Sequence, residues 1–163
     1  MLRALLLAIL LAWLSPIVAM AATPRAAANL ICQFDRFLCA TLSGAEFNIV
    51  PIANGGMGTA VLGRLYVNER LLEYADDQLA VAMVHELQHV QDFAAGWIPY
   101  QGEPCLEMES RAMTTQVRFW SWLYGRELPK RDGFDWQRIA EHNASPTGVV
   151  DARLMPWYQK VCS

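Results

Sequence analysis

A mostly apolar stretch from Gln78 to Ala95 predicts the central helix of the chain. Positions 79 to 84 are all apolar, so apolar side chains fall on every side of a helix with this sequence. Such a helix is expected to be buried. His85, Glu86 and His89 lie inside it, and buried polar side chains need partners that replace the lost water. The pattern therefore predicts a polar site within an apolar core.

The patterns on both sides of this helix predict an α+β fold. The other expected elements are a helix at Pro24–Leu42, strands at Glu46–Ile52 and Gly63–Asn68, a helix at Pro104–Tyr124, and short helices at Asp135–Glu141 and Asp151–Val161. Residues 54–58 include three glycines and are expected to form a flexible turn. We therefore expect a single, mostly helical domain in which a small sheet packs beside the central helix.

The first 21 residues have the pattern of a secretory signal peptide. Arg3 supplies a positive charge, residues 4–14 are apolar, and Ala19-Met20-Ala21 places small residues where a signal peptidase acts. An uncleaved anchor is the alternative, since the apolar stretch is almost long enough to cross a bilayer. Ser15-Pro16 interrupts that stretch and favours cleavage. We expect an exported protein, periplasmic or secreted, with a mature domain at residues 22–163 and no stable membrane association.

The bulk properties of the chain narrow the possible partners. Its 163 residues are enough for one domain with its own core. The formal net charge is −3, so neither a nucleic acid nor an anionic membrane surface is an expected partner.

Four cysteines in an exported chain of this size predict two disulfides. Cys32 and Cys39 both lie in the predicted first helix, where seven residues of rise would separate them by about 10 Å. That separation is beyond the reach of a disulfide. Each is therefore expected to pair with Cys105 or Cys162.

The central helix contains the pattern His-Glu-x-x-His at residues 85–89. Histidines four residues apart share one face of a helix, so His85 and His89 can both bind one zinc ion. The glutamate between them, Glu86, is then placed to take a proton from a water at the metal. A chance match is the alternative, but it leaves these buried polar groups without partners.

A third zinc ligand is expected on the following helix, which offers Glu107 and Glu109. At about 100° per residue, Glu109 shares a face with Cys105, Leu106, Ala112, Met113, Gln116, Trp120 and Leu123, most of which are apolar. Glu107 falls on the opposite face, where solvent and the helix dipole can stabilise it. A glutamate on an apolar stripe needs a specific partner, so Glu109 is the predicted ligand.

With these residues the segment from Leu65 to Leu123 resembles the zincin metallopeptidases, in particular the gluzincins and small bacterial proteins related to them. The resemblance rests on the His85–His89 motif and on the segment Glu109-Ser110-Arg111-Ala112. Metzincins instead continue with a glycine and a third histidine, where this chain has Asp92 and Ala95. The resemblance implies His85, His89 and Glu109 as zinc ligands, Glu86 as general base, and a peptide or protein as substrate.

The chain departs from the gluzincin pattern at the residue that orients a ligand histidine. Many gluzincins have an aspartate four residues after the ligand glutamate, which orients a ligand histidine, and this chain has Met113 there. Asp92 shares the histidine face and could be that orienting group, a fourth ligand or a helix-end carboxylate. By residue type alone, the candidates for stabilising an oxyanion are Tyr100, Tyr124, Tyr158 and His142.

The sequence leaves two alternatives for the role of one strand and two for the function of the protein. The strand at Gly63–Asn68 could be an edge strand that accepts an extended peptide, or it could be purely structural. The chain could be a zinc peptidase, or an exported module that binds zinc without catalysis and presents its apolar faces to a partner.

Overall fold

The computed structural model describes residues 22–53, 58–61, 63–98, 101–125, 129–130 and 135–163. The predicted signal peptide at residues 1–21 lies outside the described residues. The described chain is a mixed α+β structure, mostly helical with a small sheet, as expected. Within it, no helix is both long and apolar enough to cross a membrane.

Most helices lie close to their predicted positions, but the predicted helix at Pro24–Leu42 is two helices. The helices are α1 (Pro24–Phe34), α2 (Arg36–Gly44), α3 (Asp76–Ala94), α4 (Glu103–Tyr124), α5 (Asp135–His142) and α6 (Pro156–Val161), with 3-10 turns at Glu69–Glu73 and Ala152–Leu154. The bounds of α3 and α4 differ from the prediction by two residues or fewer. Where the sequence suggests one helix at Asp151–Val161, the chain forms a 3-10 turn followed by α6.

The sheet contains one strand that was not predicted. Strand β1 (Glu46–Val50) runs parallel to β3 (Arg64–Asn68), while β2 (Gly58–Val61) runs antiparallel to β3 on its other side. The order β1-β3-β2 makes β3 the central strand, so the suggestion that it is an edge strand is wrong. The three glycines in residues 54–58 favour a turn. Strand β2 is instead stabilised by its hydrogen bonds to β3, which the local sequence does not reveal.

Helix α3 occupies the centre of the domain. It packs against α4, α1 and the sheet, and every residue from Gln78 to Leu87 is buried. Leu65 and Val67 of β3 belong to the same apolar core. The prediction of a buried central helix is therefore confirmed, and its polar residues lie where water is largely excluded.

The disulfide prediction was wrong, because the first predicted helix is two helices. Cys32 pairs with Cys39, and Cys105 pairs with Cys162. Asp35 leaves the helical conformation, with φ −146° and ψ 122°, and its carboxylate caps α2 by accepting hydrogen bonds from the backbone N–H groups of Phe37 and Leu38. The chain folds back at this break, which brings the Cα atoms of Cys32 and Cys39 to 4.5 Å.

The two disulfides are expected to contribute unequally to stability. Cys105–Cys162 closes a sequence separation of 57 residues and Cys32–Cys39 one of 7. Loop-closure entropy then predicts that serine at both positions of the long loop lowers the free energy of unfolding by roughly 4 kcal/mol, against about 2 kcal/mol for the short loop. Urea unfolding of the two double variants measures this difference. Equal losses would contradict it.

Both disulfides lie in the described residues, and no cysteine is free. Paired cysteines of this kind are typical of proteins in oxidising, extracytoplasmic environments.

Candidate metal centre

The side chains of His85 and His89 from α3 and of Glu109 from α4 meet between the two helices. The Nε2 atoms of the histidines are 3.2 Å apart. Oε2 of Glu109 lies 3.2 Å from Nε2 of His85 and 3.6 Å from Nε2 of His89. In the described part of the chain, these three form the one group of three or more His, Cys, Asp or Glu side chains that could hold a metal ion.

The donor set fits a small divalent cation. Zinc bound tetrahedrally at about 2.0–2.1 Å holds its ligand atoms about 3.3 Å apart, and the three measured separations lie within a few tenths of an ångström of that value. Glu107 is exposed and is not part of the group. The choice between the two glutamates by helix face therefore agrees with the structure.

The charges at the centre favour a ligated cation. Burial raises the pKa of Glu109, but hydrogen bonds and charge from His85 and His89 outweigh burial and lower the pKa to about 2. Glu109 is therefore a carboxylate at neutral pH, and its two imidazole neighbours face it with the nitrogen atoms that bind metals. A negatively charged ligand between two imidazoles is a donor set found in catalytic zinc sites.

Glu86 lies on α3 beside this group and is almost fully buried. Burial raises its pKa to about 8, with the Glu109 carboxylate adding to the rise and His89 opposing it. A cation bound at the adjacent ligands would lower this pKa by favouring the carboxylate form. Without a cation Glu86 is therefore largely protonated at neutral pH, and a cation at the neighbouring ligands would favour the carboxylate form that can act as a base.

Strand β2 reaches Glu86 at a glycine. A Cβ atom placed at Gly58 would lie 2.6 Å from Cγ and 2.9 Å from Oε1 of Glu86. Real Cβ contacts are essentially never shorter than 3.0 Å, so any other residue would force the strand or the glutamate to shift. Because the sequence predicts a turn at residues 54–58 and not a strand, this contact could not be predicted from the sequence alone.

Met113 stands where many gluzincins have the aspartate that orients a ligand histidine. In this structure Gln116 is the side chain that contacts His85 in that way. Its Oε1 atom lies 3.0 Å from Nδ1 of His85. An amide oxygen only accepts hydrogen bonds, so this contact puts a proton on Nδ1 of His85. With a cation bound, the lone pair of Nε2 would then be available to ligate it. The periodicity that selects Glu109 also puts Gln116 on the apolar face of α4, and this buried amide could have been predicted by the same reasoning.

One of the four candidates for stabilising an oxyanion lies at the centre. The ring of Tyr158 is parallel to that of His85, with centroids 6.3 Å apart. Burial raises the pKa of Tyr158 well above its usual value, and the carboxylates of Glu109 and Glu86 raise it further. Its hydroxyl donates a hydrogen bond to Sδ of Met113 at 3.1 Å.

Of the other three candidates, two lie away from the centre and the third falls outside the described residues. Tyr124 donates its hydroxyl hydrogen bond to Asp77 near the start of α3. His142 is exposed at the end of α5, and Tyr100 lies outside the described residues. The disulfide between Cys105 and Cys162 ties the end of α6 to the start of α4, and this link holds the segment that carries Tyr158 beside the helix that carries Glu109.

Asp92 is not part of the metal group, so the idea that it is a fourth ligand is not supported in the described residues. It is fully buried and forms an ion pair with Arg111 of α4 at 2.8 Å.

No protein-family model, curated protein or solved structure matches this chain. Its functional assignment therefore depends on the chemistry of the centre between α3 and α4.

Proposed function

We propose that this protein is an exported zinc-dependent metallopeptidase of the zincin type, with a gluzincin-like ligand set. The observation that carries the proposal is the convergence of two imidazole nitrogens and one carboxylate oxygen, 3.2 to 3.6 Å apart, beside a buried glutamate. His85, His89 and Glu109 would hold the ion. Two nitrogen donors and one oxygen donor at tetrahedral spacing suit zinc, and three protein ligands leave a position open for catalysis.

A zinc ion bound there would polarise the scissile carbonyl and lower the pKa of a water at the site towards neutrality. Glu86 is the general base: its carboxylate accepts a proton from the attacking water and then donates it to the nitrogen of the leaving amine. The approach of β2 at Gly58 limits how far the Glu86 side chain can move. This restriction keeps the carboxylate oriented for proton transfer.

The position of β2 supports a peptide as substrate. One edge of β2 pairs with β3, and no strand lies on its other edge among the described residues. An extended peptide can add to such an edge through backbone hydrogen bonds. Because Gly58 of β2 contacts Glu86, a peptide bound along this edge would pass beside the general base.

Tyr158 is suited to stabilise the negative charge that develops on the carbonyl oxygen. Its raised pKa keeps the hydroxyl protonated, so that it remains a hydrogen-bond donor at neutral pH. Its present acceptor, the thioether of Met113, is a weak one. Exchanging that contact for one to an oxyanion therefore gains interaction energy mainly in the transition state.

Removal and return of zinc test this proposal. Purified mature protein should contain about one zinc per chain, and it should hydrolyse unfolded protein substrates. A chelator should abolish the hydrolysis, and one equivalent of zinc should restore it, because the ion both activates water and polarises the carbonyl. Metal content by elemental analysis and a peptide-release assay measure both effects.

The same experiment can overturn the proposal. A purified chain that neither contains nor takes up zinc would exclude a metallopeptidase. Stoichiometric zinc without hydrolysis across a broad substrate panel would instead favour the non-catalytic metal-binding module.

A further inference from the structure

Two buried polar atoms near the end of the histidine face have no hydrogen-bond partner among the described residues. They are Nδ1 of His89 and Oδ2 of Asp92. Residues three apart on a helix are neighbours on its surface, so the two side chains lie one turn apart on the same face of α3. One atom can donate and the other can only accept. Their hydrogen-bonding needs are therefore complementary.

The other oxygen of Asp92 is fully engaged. Oδ1 accepts hydrogen bonds from Nε2 of Gln88 at 2.9 Å and from Nε of Arg111 at 3.0 Å, and Nη2 of Arg111 lies 2.8 Å away. Arg111 in turn lies over the ring of Trp97, with its guanidinium carbon 5.1 Å from the centroid. These contacts orient the Asp92 carboxylate, and they leave Oδ2 as its unused acceptor.

Each histidine of the motif has one ring nitrogen, Nδ1, that faces away from the metal centre and needs a hydrogen-bond partner. His85 is held through Nδ1 by the amide of Gln116. We propose that Asp92 is the positioning residue for His89, with Oδ2 accepting from the His89 Nδ1–H group through one bridging water. Buried waters commonly join polar groups that cannot reach each other directly. This inference rests on the metal-binding part of the proposed function.

As a positioning residue, Asp92 would raise the affinity of the centre for metal, which an ordinary ion pair between two helices would not do. A carboxylate behind a ligand imidazole fixes the ring and makes its other nitrogen a better donor. If the Asp92–Arg111 pair only joins α3 to α4, its loss would lower stability and leave metal affinity unchanged. Metal affinity therefore separates a positioning role from a structural one.

Asp92→Asn is the informative variant, because it keeps the shape of the side chain. The donors of Arg111 and Gln88 will keep the remaining oxygen, so the new NH₂ group takes the place of Oδ2 and turns an acceptor into a donor. Zinc affinity, measured by competition with a chromophoric chelator, should fall by about 10- to 100-fold. The control is Glu103→Gln, which breaks the ion pair with Arg153 and should leave zinc affinity unchanged. Equal affinity of Asp92→Asn and wild type would overturn the proposal.

A measurement without metal keeps this test independent of the proposed function. Nitrogen-15 spectra of the metal-free wild type should show His89 with a proton on Nδ1 that is protected from solvent. Asp92→Asn should lose that protection, while the His85 signals stay unchanged. Arg111→Gln should also weaken the protection of the His89 Nδ1 proton. This variant changes a side chain that is 44% exposed, so it replaces Asp92→Asn in the experiment if Asp92→Asn does not fold. An unprotected His89 proton in wild type would overturn the Asp92 proposal, whereas failure to bind zinc would overturn the proposed function.

Discussion

Glu109→Ala should abolish stoichiometric zinc binding in a chain that stays folded. Glu109 supplies one of three protein ligand atoms, and its Oε2 lies 3.2 and 3.6 Å from the two histidine nitrogens. If a site worth about 10–16 kcal/mol is shared among three or four ligands, the loss of one weakens binding by about 2.5–5 kcal/mol. That corresponds to a loss of roughly 10²- to 10⁴-fold in affinity. Elemental analysis after dialysis against a weak chelator measures the loss.

The matched control is Glu107→Ala, on the same helix two residues earlier. Glu107 is exposed and outside the metal group, so this variant should keep its zinc. Circular dichroism of both variants checks that α4 remains folded. Similar zinc content in the two variants would show that Glu109 is not the third ligand.

Glu86→Gln should leave zinc in place and reduce hydrolysis by about 10²- to 10⁴-fold, the range expected for loss of a general base. The amide has the same shape as the carboxylate, so the close contact with Gly58 is kept, but an amide cannot accept the proton of the attacking water. Glu86→Ala should show the same loss while also removing the side chain beside Gly58. Single-turnover rates and metal content are measured on the same preparations.

This result separates catalysis from metal binding. Loss of zinc in both Glu86 variants would assign Glu86 to the ligand set or to the stability of the site. Unchanged hydrolysis with full zinc content would exclude Glu86 as the base, because no proton could then pass through its carboxylate.

The residues of the centre can be predicted from the sequence because they depend on local regularities. His85 and His89 share a face by helical spacing alone, and Glu109 was separated from Glu107 by its position on an apolar stripe. Both arguments require only that α3 and α4 are helices, which their long periodic patterns predicted correctly. Gln116 was equally accessible, since a buried amide on the same stripe also needs a partner.

The disulfide pairing and strand β2 were not predicted, because in each case one residue or one distant partner outweighs the local sequence pattern. Asp35 ends α1 and caps α2, so a single change of backbone angles brought together two cysteines that a continuous helix would keep apart. Strand β2 was not predicted because its first residue, Gly58, ends a glycine-rich run that favours a turn, and because its pairing depends on hydrogen bonds to β3. Neither effect has a periodicity that can be read along the chain.

The sequence by itself determined a buried helix carrying two histidines and a glutamate, and a second helix with one glutamate on its apolar face. Those features follow from the order of apolar and polar residues together with the repeat of about 3.6 residues per turn that every α-helix obeys. Only the tertiary structure decided that Glu109 reaches both histidines, that Gly58 touches Glu86, and that Tyr158 returns to lie beside His85. These contacts join residues far apart in sequence, and their distances depend on how helices, strands and disulfides pack together.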